Sequence, residues 1–355
     1  SIIGKAYARV EKVEELCENV SPVCDMAILS AGACNGEEAS RENHADTGAC
    51  RMLLESHMLF SIIDDKMDFS PYKLLILPDE IRISLELKTK LDYYIKKGGK
   101  LFLTGKSGLD PQEKGFVFDI GAEFAGESPY CPDYILPENN LRPDFVDSPF
   151  VMYLKSQRIK VISGKSLGKI FDPYFNRTFR HFCSHQHAPP QLNDSGFDCG
   201  VRTENIVYLA HPIFTIYAGY GAVAYREYVI KTLKSLLGNE NIPLHTELPS
   251  SARISLMRQK DKNRDILHVL YAPKILRGGV IKTDASTPLW SPKPVEIIEE
   301  LPMLKSSIVK FKTDRKVHTV KIEPEGHEIP FTQEKDGTII FETGDFSCSR
   351  IFSIN

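Results

Sequence analysis

The chain has 355 residues, 26% charged and 42% hydrophobic, with a formal net charge of −3. That length allows two domains with proper cores, and so small a net charge gives no electrostatic drive toward nucleic acid or an anionic membrane. No apolar run approaches the roughly 20 residues that span a bilayer, so a soluble protein is expected, its compartment, cytoplasmic or periplasmic, left open. The eight cysteines (17, 24, 34, 50, 131, 183, 199 and 348) contain no CxxC pair. They argue against a zinc ribbon or a dense disulfide framework and read mostly as buried thiols.

By Ala6 the chain is already in an amphipathic helical pattern (Ala6, Val10, Val13, Leu16, Cys17, Val20). A start inside a helix predicts a piece of a longer protein, with 1–20 as an entry helix from an upstream domain. Residues 25–30 read as the first buried strand, 30–46 as a polar loop and 47–63 as a helix. Next come Lys73, Leu74, Leu75, Ile76 and Leu77, apolar on both faces as a buried parallel strand must be. Ser84 is a ready N-cap. Leu85, Leu91, Tyr94 and Ile95 then recur at helical spacing, and Gly98-Gly99 end the helix. Leu101-Phe102-Leu103 is a second buried strand, closed by the turn Thr104-Gly105-Lys106-Ser107-Gly108. This βαβ unit predicts an α/β, doubly wound, mostly parallel sheet, whose ligands sit beyond the carboxyl ends of the strands.

Residues 110–149 are irregular and rich in Pro, Gly and Asp, a texture more often functional than connecting. Short strands are expected at 151–154, 160–162 and 169–171, a last buried strand at 205–210, and a long helix over 220–237. From about 244 the helical period disappears. Short β runs at 252–258, 266–271, 295–298, 307–312, 317–322, 338–341 and 350–354 predict a small antiparallel sandwich. The expected domains are therefore 1–244 and 245–355.

Three constellations carry possible chemistry. Gly105 and Ser107 stand on the tight turn after a central strand, and His211 ends the strand 205–210 in the sequence NIVYLAHP. Arg180, His181, His185 and His187 form an H-x3-H-x-H array with an arginine beside it. Imidazoles so spaced can ligate a divalent metal, yet no carboxylate is built in, so no metal or cofactor is assigned. A polar pocket for a ligand or another subunit, or plain loop hydrogen bonding, suits the array better. Asp79-Glu80 and Asp64-Asp65 are the carboxylate pairs at strand ends, and both read as cap and turn residues rather than as a glycosidase pair.

The strand order and the strand-terminal His-Pro partly resemble class I glutamine amidotransferases. In that family a Cys nucleophile follows a strand like 101–103 and the triad acid follows His-Pro. Here the nucleophile place falls near Gly105, with Ser107 as a substitute, and Ile213 stands where the acid would be. The resemblance survives as a flavodoxin-like fold and fails as chemistry.

Leu75-Ile76-Leu77-Pro78-Asp79, Lys97-Gly98-Gly99-Lys100-Leu101 and Thr104-Gly105-Lys106-Ser107-Gly108-Leu109, taken in order, are similar to the β-galactosidase trimerisation domain of family 42 glycoside hydrolases. His185-Gln186-His187-Ala188-Pro189-Pro190, Tyr208-Leu209-Ala210-His211-Pro212 and Pro324-Glu325-Gly326-His327-Glu328 resemble related bacterial α-L-fucosidase-like hydrolases. In those enzymes a (β/α)8 barrel precedes this region and supplies both carboxylates. The resemblance thus implies a non-catalytic C-terminal fragment of a glycoside hydrolase. Its partners would be further copies of itself, a trimer in the family, and a carbohydrate held by the catalytic part. Loop residues in 110–149 and 181–190 would lend themselves to a neighbouring active site. Two rivals remain: a stand-alone hydrolase using His211, and a carbohydrate-binding module in the β domain. With Trp290 the single tryptophan, such a module would have to stack sugars on tyrosine and phenylalanine.

Overall fold

The computed structural model describes residues 2–35, 43–278 and 295–355; Trp290 lies outside them. The chain divides into two compact units, Cys24–Ile242 and a second made of Ser1–Val23 with Pro243–Asn355.

In the first unit a seven-stranded sheet runs in the order Lys165–Ser166, Gly200–Arg202, Ile206–Leu209, Lys100–Thr104, Leu74–Leu77, Met26–Leu29, Ser61–Ile63. The last five are mutually parallel, and Gly200–Arg202 runs antiparallel to both of its neighbours. Met26–Leu29, Leu74–Leu77 and Ile206–Leu209 are buried along their whole length, which explains why they read as continuous apolar runs rather than as alternation. The first crossover leaves Met26–Leu29 in one direction and the later ones leave it in the other, so the order reverses between Met26–Leu29 and Leu74–Leu77. Helix Leu85–Lys96 starts where expected: Ser84 Oγ accepts from the Leu87 amide at 3.2 Å, and Gly98 takes a left-handed φ of 91° just past its end.

Several expectations are corrected. The helix expected over 47–63 is His44–Glu55, and Ser61–Ile63 is the edge strand beside Met26–Leu29. The helix expected over 220–237 is Val223–Leu237, and an unexpected helix, Ile213–Tyr220, precedes it, the two separated where Gly221 adopts φ 60°. Segment 110–149 contains two strands, Ala122–Glu127 and Asp133–Pro137. The first pairs with Gln157–Val161, and the second lies between Gly168–Phe171 and Phe150–Met152.

In the second unit Val20–Pro22, Arg253–Gln259, Arg264–Tyr271, Phe346–Ile354, Val320–Glu323 and His327–Ile329 form one antiparallel sheet, with Met303–Leu304 also on Phe346–Ile354. Leu244–Thr246, Ile308–Lys312, Thr338–Glu342 and Phe331–Gln333 form another. Phe341 of one sheet meets Phe352 of the other with ring centroids 5.0 Å apart, and both are buried. The molecule is therefore an α/β unit plus a β-sandwich. The opening segment goes with the sandwich. Its helix is Ile2–Glu11, not 1–20. Leu16 packs with Ile266 and Ile351, Val13 and Met257 lie against them, and Val20 pairs with Gln259. Those apolar residues are used by a β core rather than by a helix face. Among the described residues no helix is long and apolar enough to cross a membrane.

Candidate functional site

The carboxyl edge of the parallel sheet holds most of the residues singled out from the sequence. Gly105 has φ +57°, and a β-carbon there would lie 2.9 Å from the Asp79 carbonyl and 3.2 Å from Pro212 Cα. Its amide donates to the Leu209 carbonyl at 3.0 Å, and its own carbonyl accepts from Tyr208 Oη at 2.6 Å. Glycine is needed for both reasons, backbone conformation and close approach. Ser107 is buried, and its Oγ accepts the Ile81 amide at 3.0 Å. It is a turn lock, which removes it as the substitute nucleophile.

Asp79 sits between these elements at 1% exposure and φ 43°. Its carboxylate accepts Thr104 Oγ1 at 2.6 Å and the amides of Phe214 at 3.4 Å and Thr215 at 2.6 Å. It thereby caps the helix that follows His211-Pro212. Burial pushes its carboxyl up to about 6, against the pull of those hydrogen bonds. Glu80 instead receives Asn43 Nδ2 at 3.4 Å, and Asp64 closes a turn on the Lys66 and Met67 amides. One member of each strand-end pair, Asp79 and Asp64, thus serves the backbone.

At the switch in strand order, Asp46 occupies the crevice itself. It accepts Ser30 Oγ at 2.7 Å and the amides of Ala31 at 2.8 Å and Gly32 at 3.0 Å. Backbone donors that could meet a ligand anion on such a sheet are taken here by the chain's own carboxylate.

His211 is 2% exposed, and its Nε2 lies 2.6 Å from Oδ1 of fully buried Asp133. The other Asp133 oxygen accepts Ser156 Oγ at 2.8 Å, and the Gln157 amide donates to the Ala210 carbonyl at 2.8 Å. The result is a Ser–Asp–His chain with the aspartate in the middle and every member buried. In a nucleophilic triad the histidine stands between acid and nucleophile and faces substrate. Here the order is wrong for that and no member reaches solvent. Nothing in the sequence marked Asp133 except its place as a lone acid at the head of the apolar run Asp133–Pro137.

The histidine array does not converge. His181 stacks on Phe175 with centroids 3.9 Å apart, and His187 meets the edge of Tyr153 at 5.3 Å. His185 is exposed, its carbonyl 3.5 Å from Cys183 Sγ. Arg180 lies over the Phe179 ring at 5.2 Å. Among the described residues no group of three His, Cys, Asp or Glu is placed to hold a metal ion. The array instead lies on a loop closed at its base. Pro173 and Pro190 form a β-bridge, the Gln191 amide donates to the Asp172 carbonyl at 2.8 Å, and Tyr134 Oη donates to the Ala188 carbonyl at 2.6 Å. Buried Arg158 holds Asp172 and donates to Ser128 Oγ at 2.9 Å. Out on the loop Phe179 and Phe182 are 84% and 63% exposed. With Arg177 and Thr178 they line a shallow hollow. The loop thus combines an anchored base with exposed aromatic and cationic side chains.

No family model and no curated protein sequence matches the chain. Among solved structures it is similar to α-L-fucosidase isoenzyme 2 from Paenibacillus thiaminolyticus, at 34% identity and TM-score 0.90, over 99% of this chain and 52% of that one. It also resembles the E323A catalytic mutant of Gan42B, a GH42 β-galactosidase from G. stearothermophilus, at 14% identity and TM-score 0.58 over 98% and 42% of the two chains. For the β-galactosidase from Bacillus circulans sp. alkalophilus the values are 10% and 0.58, over 97% and 43%. The β-galactosidase likenesses show the fold alone. The chain thus has a glycoside hydrolase-related fold, and it spans about half the length of the structures it matches.

Proposed function

We propose that the chain is the non-catalytic assembly portion of a bacterial glycoside hydrolase of the α-L-fucosidase kind. The observation that carries this reading is the likeness to the Paenibacillus enzyme, which runs over 99% of this chain at 34% identity while leaving nearly half of that enzyme unmatched. The closed Asp133–His211 pair and the backbone-bound Asp79 and Asp64 support it, because these groups are committed to structure.

In this reading the α/β unit is a flavodoxin-like, trimerisation-type domain that packs copies of the protein against one another. The loop from Tyr174 to Pro189, with Phe179, Arg180, Phe182, His181 and His185, reaches toward a neighbouring active site. The carbohydrate is held by the catalytic part of the longer protein. Self-association is tested by sedimentation of the longer protein with and without the paired substitution Phe179→Ala/Phe182→Ala. A discrete oligomer that weakens in the variant supports the reading, and a monomer throughout overturns the assembly role.

A further inference from the structure

Four aromatic side chains, each from a different segment of the α/β unit, converge on Tyr153, which stands one residue beyond the strand Phe150–Met152. Tyr134 and Tyr225 are buried and tied down by their hydroxyls, Tyr134 to the Ala188 carbonyl at 2.6 Å and Tyr225 to the Val151 carbonyl at 2.8 Å. Burial, and then the neighbouring Tyr153 hydroxyl, pushes both of these phenols up. His187 meets Tyr153 edge-on at 5.3 Å, and Tyr220 lies on its face, with centroids 3.9 Å apart and planes within 14°. Rings in contact are about 3.5 Å apart, so Tyr153 and Tyr220 are almost superposed. Aromatic pairs left to themselves prefer an offset or edge-to-face arrangement. The elements that carry this pair, rather than ring attraction, hold it in place.

Tyr220 is nonetheless 58% exposed. One face rests on Tyr153 and the other is turned outward. The residue ends the helix Ile213–Tyr220 between Gly219 and Gly221. A β-carbon at Gly219 would meet nothing within 4 Å, so the ring is open on that flank. On the other flank, a β-carbon at Gly221 would lie 3.1 Å from Arg51 Nη2. Half-exposed Arg51 donates from Nε to Glu55 at 2.8 Å, and Glu55 also accepts from Tyr217 Oη and from Arg226 Nη1 at 3.2 Å. The outward face is a flat apolar ring with one open side and a fixed guanidinium on the other.

That combination selects its ligand. A quaternary cation is held by ring faces on several sides, and the stack offers one. A stable protein interface covers about 800 Å² of each partner, to which one ring between two glycines adds little. In the assembly reading, copies of the chain meet through the loop from Tyr174 to Pro189. A pyranose presents one apolar C–H face and a rim of hydroxyls, which matches a single ring face beside an arginine with its fork of N–H donors. We infer that Tyr220, backed by Tyr153, is a stacking platform for a pyranose ring, with Arg51 at the hydroxyl rim. The inference goes beyond the functional reading, which leaves the carbohydrate to the catalytic part of the longer protein.

The test is saturation-transfer NMR on this chain, with methyl β-D-galactopyranoside and methyl α-L-fucopyranoside as probes. The expected result is transfer to the ring C–H protons of at least one probe. Tyr220→Ala should weaken that binding about tenfold, whereas Tyr220→Phe, which keeps the ring, should retain it. No transfer to either probe overturns the inference, as does transfer left intact by a Tyr220→Ala variant that melts with the parent chain. Transfer to adenosine alone, with the same dependence on Tyr220, overturns it in favour of a flat base. An oligomer lost in Tyr220→Ala, without sugar binding by the parent chain, makes the ring a contact between copies and overturns it too. A chain that binds a glycoside through Tyr220, from a longer protein that hydrolyses none, would overturn the functional reading and leave this platform standing.

Discussion

His211 Nε2 and Asp133 Oδ1 lie 2.6 Å apart with both side chains out of solvent. The contact joins residues far apart in sequence, the turn after the central strand Ile206–Leu209 and the strand Asp133–Pro137. A buried charged or polar pair of this kind contributes chiefly by not being broken, since loss of one partner strands the other without water.

Asp133→Ala and His211→Ala should each destabilise the α/β unit by about 3 kcal/mol. The double variant should cost less than the sum, with a coupling of about 1 kcal/mol or more. Urea unfolding of the four proteins checks this. Additive losses would mean that the pair does not act as a unit.

Asp79 gives a pH dependence of definite sign. Its carboxyl is raised from the ordinary value of 3.8 to about 6 by burial, so the folded state binds its proton more tightly than the unfolded state. The contribution is fully present below pH 4 and is lost as pH rises through 6, by up to about 3 kcal/mol. Asp79→Asn should flatten the stability profile between those limits. A profile with unchanged slope would show that Asp79 is ionised throughout.

Gly105→Ala should cost about 2–4 kcal/mol, because the residue is left-handed and its new methyl would meet the Asp79 backbone at 2.9 Å. Gly98→Ala, also left-handed but with nothing within 4 Å, should cost about 1 kcal/mol. Thermal unfolding of the pair separates packing from backbone strain; equal losses would mean that close approach contributes nothing.

Much of the parallel sheet was legible because it follows one-dimensional rules. Leu74–Leu77 and Lys100–Thr104 announced themselves by unbroken apolar runs, and Ser84 and Gly98 marked the ends of the helix between them. What was hidden depends on partners distant in sequence. Ser61–Ile63 is three residues long and looked like a helix end until Met26–Leu29 lay beside it. Leu16 belonged to a β core that begins more than 200 residues later. The site residues were half visible. His211 stood out by its strand-terminal place, whereas its fate was decided by Asp133, inside a stretch whose prolines masked a strand. The loop histidines had a suggestive spacing, but Phe175 and Tyr153 draw His181 and His187 to separate partners, which no spacing rule encodes.

Phe179→Ala/Phe182→Ala should leave the stability of this chain within about 0.5 kcal/mol of the parent sequence, since both rings are exposed. The same change should lower the kcat/KM of the longer protein at least several-fold. A large loss of stability in the chain alone would reassign these rings from contact to core.

The most direct test of the account is release of 4-nitrophenol from aryl α-L-fucosides and β-galactosides, measured for this chain and for the full product of its natural gene. The account predicts turnover by the longer protein and none above blank by this chain. Turnover by this chain alone, lost in a folded His211→Ala variant, would contradict it and make the buried Asp133–His211 pair a catalytic one.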